Sequence, residues 1–273
     1  MNIDNKVIND FNEEWQKYNY INFDKKKLKI FFNQYFEIFP WDKINQNSIG
    51  FDMGCGSGRW AQFVAPRVKT LICVEPSNAI IVAKNNLKRF NNVKFLKEST
   101  NLCTIKEKSQ DFGYCLGVLH HIPDPKKALK DCAKLLKSKS PFLLYLYYNF
   151  ENKPEWFKLI WKVSDFMRKI ISKMPNGLKI LTCALIAYLI YLPLSRTANL
   201  FERLGFNISN FPLADYRFKP MYICKNDALD RFGTSLEYRF SKNEIKEMLY
   251  NCGFENIRFS KGAPYWCCIA YKK

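Results

Sequence analysis

Apolar and polar positions in this chain fall into two kinds of run. Short apolar runs bounded by turn residues predict strands, and longer segments with apolar residues three and four apart predict helices. The strand runs are 49–53, with Asp52 at the end, 68–75, broken by Pro76, and 93–99. They continue at 111–117 and 142–148 and close with 256–260 and 265–271. The run 111–117 is apolar, as expected for a strand covered on both faces. Between the runs lie helical patterns. Residues 28–39 place Ile30, Phe31, Gln34, Tyr35 and Ile38 on one stripe, ended by Pro40. A short helix is predicted from Trp60 to Ala65, before Pro66. Ser77 is positioned to cap a helix over 78–90 with Ala79, Val82, Ala83 and Leu87 inward. Asp124-Pro125 opens another, with Ala128, Leu129, Cys132, Leu135 and Leu136 as its stripe. Ser241 and Glu244 have capping-box spacing, so a last helix starts there and ends at Gly253.

Residues 151–232 interrupt this alternation and read as a helical insertion. Trp156, Leu159, Ile160, Val163, Phe166, Met167, Ile170 and Ile171 form an apolar stripe, with Lys158, Lys162, Lys169 and Lys173 on another face. Pro175-Asn-Gly177 breaks the chain, and residues 180–192 are apolar throughout. That second run is shorter than the ~20 residues needed to span a bilayer. The pattern predicts a helical hairpin buried against the main domain. The alternative is peripheral membrane contact through residues 156–192.

The chain has 273 residues, of which 48% are hydrophobic, ample for a core. Its ten cysteines include no C-x-x-C pair, so zinc-site spacing is absent and no metal is expected. The polar start, with no signal-peptide core, and the scattered cysteines argue for the cytoplasm. The net charge of +18 fits an anionic surface, an acidic substrate or a nucleic acid. Lysine dominates and RNA-binding modules are not recognisable, so nucleic acid is disfavoured and the charge reads as solvated faces.

Chemistry centres on residues 48–60. After the first strand, Gly54, Gly56 and Gly58 remove side chains where the backbone turns and where a ligand approaches it. The spacing is G-x-G-x-G, so the third glycine of a dinucleotide fingerprint would fall at Arg59. No phosphate-binding P-loop motif occurs. Glu75 ends the second strand about 20 residues on, where an acid can bind ribose hydroxyls; the alternative is a solvated strand-end acid. His120 and His121 follow the fourth strand, at the sheet edge where open α/β folds bind ligands. Either histidine suits a general base, and a structural role is the alternative.

Together, Asp52-Met-Gly-Cys-Gly-Ser-Gly58, Val74-Glu-Pro-Ser77 and Gly117-Val-Leu-His-His-Ile-Pro-Asp-Pro125 resemble the class I S-adenosylmethionine (SAM)-dependent methyltransferases. The resemblance is to the small-molecule, type 11 group that includes ubiquinone/menaquinone enzymes, and it is strongest over residues 48–150. It implies an α/β, Rossmann-like, mostly parallel sheet of seven strands with an antiparallel last strand, plus a helical flap and a lid insertion. The organisation expected is a flap at 1–45, a SAM-binding core at 46–150, a lid at 151–232 and completion of the sheet at 233–273.

The resemblance assigns SAM to Asp52, Gly54, Gly56, Gly58, Glu75, Ser99 and Leu116. The glycines would meet its methionine end, Asp52 its amino group and Glu75 both ribose hydroxyls. Leu116 would lie beside the adenine. Ser99, with Glu98 beside it, stands where relatives have an acid for the adenine amine. Ser138-Lys-Ser140 replaces the Gly-Gly turn of relatives. Acceptor-side candidates are Trp15 on the flap, Tyr147, Tyr148 and Asn149 after the fifth strand, and Arg231 with Glu237. A salt-bridged structural turn is an equal reading of that last pair.

The expected activity is methyl transfer to a small acceptor: a sugar, glycan precursor or related metabolite. A polyprenyl or quinone-type lipid acceptor, and a non-enzymatic RNA-binding role, are the alternatives.

Overall fold

A computed structural model describes residues 2–273; Met1, the first residue of the expected flap, lies outside them. The chain divides into two compact units. The first runs to Asn149 and resumes over Leu236–Lys273, and the second is Phe150–Ser235.

The first unit is built on one seven-stranded sheet. Its strands are β1 (Ile49–Met53), β2 (Thr70–Val74), β3 (Val93–Leu96), β4 (Phe112–Leu116), β5 (Pro141–Tyr145), β6 (Phe254–Phe259) and β7 (Cys267–Lys272). The order is β3-β2-β1-β4-β5-β7-β6. Strands β1 to β5 pair in parallel, and β7 is antiparallel to both β5 and β6. Strands are thus added outward in one direction from β1 to β3 and in the other from β4 to β5, and this switch between β1 and β4 opens a crevice at their carboxyl ends.

Helices α1 (Asn5–Lys17) and α2 (Lys25–Tyr35) precede the sheet, and α3 (Ala61–Val64), α4 (Ala79–Leu87) and α5 (Pro125–Leu135) link its strands. Side chains alternate along each strand, so the two faces of the sheet meet different partners. Phe51 and Met53 of β1 share a buried cluster with Leu129, Cys132 and Ala133 of α5. Gly50 and Asp52 point the other way. On that face Phe36, just after α2, meets Tyr114 of β4 edge-on at 5.2 Å.

The α2 stripe differs from expectation. Leu28 and Phe32 are its buried residues, and Ile30 and Gln34 are exposed. The aromatic residues decide this: Phe32 stacks on Phe36 and packs on Phe63, which turns the helix away from the expected phase. Asp124 caps α5 as expected, accepting from the Lys127 amide at 2.9 Å. Ser77 is one residue early: α4 is capped at Asn78, and Ser77 Oγ accepts from the Ala79 amide at 3.1 Å in the turn before it.

The second unit contains α6 (Glu155–Ile171), α7 (Asn176–Ile186), α8 (Leu192–Arg203) and α9 (Met221–Gly233). One π-helical stretch, Ala187–Tyr191, joins α7 to α8 without a break. The expected run of 180–192 is thus part of a 28-residue helix, Asn176–Arg203, long and apolar enough by composition to cross a bilayer. One face of it is buried through Cys183, Ile186, Ala187 and Tyr191. The predicted burial of the hairpin is corrected here. Leu159, Val163 and Phe166 of α6 are 56–66% exposed, and Leu189 is 72% exposed. In the first unit again, α10 (Lys242–Asn251) begins with the full Ser241/Glu244 capping box.

Candidate active site

The glycine turn leaves β1 and is tied at once to β2. Amides of Gly54 and Cys55 both donate to the Val74 carbonyl, at 2.8 and 3.1 Å. Gly54 has φ +75°, and a Cβ there would lie 2.5 Å from Val118, the residue before the histidine loop. A Cβ on Gly56, at φ +52°, would lie 2.8 Å from the Trp15 ring. Side chains at either position meet both left-handed backbone strain and a neighbouring wall. Gly58 packs beside Leu87 and Ala83 of α4.

Glu75 closes the turn from the far side. Its carboxylate accepts from the Gly56 amide at 3.1 Å and from the Ser77 amide at 3.0 Å. Burial raises its pKa, and the hydrogen bonds from Ser77 and Gly56 oppose that rise. Each carboxylate oxygen can accept more than one hydrogen bond. Glu75 is therefore a latch for the loop and keeps acceptor capacity for a ligand hydroxyl.

Asp52 lies in register between Cys73 of β2 and Tyr114 of β4. It is buried, and burial pushes its pKa up to about 8; the Tyr114 hydroxyl draws it down less strongly, and Glu75 adds to the rise. Among the described residues, neither Asp52 Oδ2 nor the Tyr114 hydroxyl has a hydrogen-bond partner of normal geometry. An orphaned buried carboxylate oxygen is costly on its own and suits a ligand ammonium group.

Helix α1 crosses both loops. Trp15 abuts Gly56, and Phe11, one turn earlier, meets the His121 ring edge-on at 5.0 Å. Four-residue spacing puts Phe11 and Trp15 on the same helix face. Arg59 lies over the rings of Trp15 and Trp60 at 4.8 and 4.7 Å and donates to the Tyr20 hydroxyl at 3.0 Å. At its start, the Asn2 side chain exchanges two hydrogen bonds with the Asp124 backbone, at 2.8 and 2.7 Å.

The two histidines are buried and wired differently. His121 Nδ1 lies 2.7 Å from the Leu236 carbonyl. A carbonyl only accepts, so Nδ1 carries a proton and the neutral ring has its lone pair at Nε2. His120 Nδ1 instead accepts from the Tyr147 amide at 3.3 Å, which puts the proton of the neutral ring on Nε2. Burial, with His121 and Arg239 nearby, holds His120 well below the usual histidine range and so keeps it neutral. Tyr147 stacks on His120 with ring centroids 3.8 Å apart, and Arg239 lies over Tyr147 at 5.0 Å.

Leu116 ends β4 and is buried. Ser99 follows β3 and donates to Asn101, while Glu98 accepts from the Thr104 amide and hydroxyl. Tyr147 lies beyond the end of β5, shorter than expected, and joins the histidine cluster. Glu237 is buried and paired with Arg239 at 2.8 Å. Arg231 belongs to the second unit, where it donates to Ser164 at 3.1 Å and lies 3.9 Å from Asp165. Both side chains are thus engaged in ion pairs. Leu236, Tyr114, Phe11 and Arg59 enter the site unannounced by sequence; the G-x-G-x-G-R-W string alone marked Arg59 as adjacent to the loop.

The residues present fit SAM. Asp52 offers an unmatched acceptor for its ammonium group, Glu75 further acceptor capacity for ribose hydroxyls, and the glycine turn a close approach to the backbone.

Comparisons with known proteins agree. The family described as Methyltransferase domain matches residues 51–144. The chain is similar to ubiquinone biosynthesis O-methyltransferases of Coxiella burnetii (31% identity over 88 residues) and Nitrosomonas europaea (33% over 90). Each match covers 32% of this chain and 38% of the relative's length. In fold, the chain is similar to a SAM-dependent methyltransferase of Methanosarcina mazei, with TM-score 0.52, 15% identity and coverage of 86% and 98%. A SAM-dependent methyltransferase of Thermotoga maritima gives TM-score 0.51, 15% identity and coverage of 95% and 100%. Residues 51–144 are a methyltransferase domain of the class I, SAM-dependent kind, and S-adenosylmethionine is its cofactor.

Proposed function

We propose that the chain methylates a hydroxyl or amine of a small-molecule acceptor: a sugar, glycan precursor or related metabolite. The opposite wiring of His120 and His121 supports this reading most directly. One ring offers a lone pair and the other an N–H, in adjacent buried positions.

When bound, SAM supplies an electrophilic methyl group on a sulfonium. Asp52 and Glu75 would hold its polar ends, and the Glu75 latch keeps the glycine turn in shape. Phe11 and Trp15 shield the crevice from water, which strengthens polar interactions inside it. His121 Nε2 would take the proton that an acceptor hydroxyl gives up on methylation. The Leu236 carbonyl fixes that ring and stabilises the imidazolium formed. His120 Nε2–H, with no hydrogen-bond partner among the described residues, orients an acceptor oxygen. Positioning and water exclusion provide most of the acceleration.

A lipid acceptor of polyprenyl or quinone type is a second reading. The exposed apolar face of α6 favours it, and the relatives named above are ubiquinone enzymes.

Radiolabelled methyl transfer from SAM into a fractionated cell extract tests the proposal. Label in water-soluble metabolites supports the first reading, and label in organic-extractable lipid the second. Label in RNA or protein overturns both.

A further inference from the structure

Helix α6 carries two exposed features side by side. Trp156, Leu159, Ile160, Val163, Phe166, Met167 and Ile170 are all exposed. Their spacings of three and one place them on a single stripe along the whole helix. Lys162, Lys169 and Lys173 are exposed along one edge of that stripe, and Lys158 is half-buried among them. The opposite edge turns inward through buried Arg168 and Ile171.

The inward side is well anchored. Arg168 pairs with Asp165 at 2.9 Å and donates to the carbonyls of Thr234 and Ser235 at 3.1 and 3.0 Å. The stripe is therefore the outer surface of a helix already fixed in its unit. On α7, the next helix in the chain, Leu178, Leu181, Leu185 and Tyr188 form a second exposed apolar stripe. An exposed apolar stripe the length of α6 marks an interaction site.

Charge decides among occupants. Residues 150–235 carry thirteen lysines and arginines against seven acidic residues, within a chain of net charge +18. A second copy would bring its own lysine row to the same seam, and like charges across a desolvated contact repel. An anionic bilayer surface accepts both features at once: apolar side chains enter the headgroup boundary, and lysines meet the lipid charge. Trp156, at the amino end of the stripe, suits the interface.

We propose that α6 docks the protein peripherally on an anionic lipid bilayer, with its apolar stripe inserted and its lysine row against the headgroups. This does not rest on the methyl-transfer reading and holds for a soluble or a lipid acceptor.

Flotation of the full-length protein tests it, using phosphatidylcholine vesicles with and without about one-third phosphatidylglycerol. The protein is expected to float with the anionic vesicles and to be released by salt. The triple variant Leu159→Glu, Val163→Glu, Phe166→Glu should lose at least about tenfold in the floated fraction. Because all three side chains are exposed, its circular dichroism should match the parent. The variant Lys162→Gln, Lys173→Gln leaves the stripe intact and should abolish the preference for anionic vesicles, which decides the matter if the triple variant fails to fold. Wild-type protein that stays soluble with anionic vesicles overturns the proposal. So does a stable dimer by light scattering that the triple variant dissociates, with no flotation by either form; the stripe would then seat a second copy.

Discussion

His121 Nδ1 lies 2.7 Å from the carbonyl oxygen of Leu236, a residue 115 positions later in the chain. That bond fixes the ring, its tautomer and thus its chemistry. The adjacent His120 is set the other way by the Tyr147 amide. Nitrogen-15 spectra of the histidine side chains should show His121 as the Nδ1–H tautomer and His120 as the Nε2–H tautomer. The reverse assignment would remove His121 as the base. In methyl transfer to a hydroxyl acceptor, His121→Ala should lower kcat by roughly 100- to 10,000-fold.

Asp52 gives a pH prediction. Its carboxyl is pushed up to about 8 in the folded protein, against about 4 in an unfolded chain. The stability that its neutral form contributes is complete below pH ~4 and is lost as pH rises towards 8. Asp52→Asn mimics the neutral form at every pH. Its stability advantage over wild type should grow with pH by up to about 1.4 kcal/mol per unit and level off above pH 8. Denaturant melts at pH 5, 6.5 and 8.5 measure this; a pH-independent difference would show that Asp52 is not raised.

Gly56 and Trp15 should be energetically coupled. Gly56→Ala adds a Cβ 2.8 Å from the ring at φ +52°. Left-handed backbone alone costs about 1–2 kcal/mol, and overpacking adds a similar amount. Trp15→Ala relieves the second part and leaves the first. A double-mutant cycle should therefore show a coupling of about 0.5–3 kcal/mol, and strict additivity would mean that Trp15 does not rest on the loop.

Lys139 occupies the turn before β5 with φ +65° and an exposed side chain. Lys139→Gly removes left-handed strain and also loosens the unfolded chain. The balance should stabilise the protein by roughly 0.5–1 kcal/mol, read from the urea midpoint. Destabilisation would mean that the lysine side chain matters to the fold.

Local signals in the chain are enough for the strands, the caps at Asp124 and Ser241, and the glycine turn. The helix over Glu155–Ile171 is equally plain, because its apolar stripe breaks the strand–helix alternation. What local periodicity does not carry is pairing across distance. Tyr114 flanks Asp52 because β4 returns beside β1, and Leu236 reaches His121 only after the whole second unit has intervened. The phase of α2 departs from its apolar stripe because Phe32 stacks on Phe36 and packs on Phe63, beyond the helix. For 180–192, composition marked the apolar run but not its continuation through a π-helical stretch to Arg203.

Glu75 latches the glycine turn, accepting from the Gly56 and Ser77 amides, so it stands at the centre of the proposed SAM site. Calorimetric titration of SAM into wild type, Glu75→Ala and His121→Ala tests it most directly. Wild type should bind one equivalent. His121→Ala should bind within about threefold of it. Glu75→Ala, which loses a charge-assisted acceptor and leaves the Gly56 and Ser77 amides unmet, should bind at least about 100-fold more weakly. Equal SAM affinity in all three proteins, or no binding by wild type, would contradict the account.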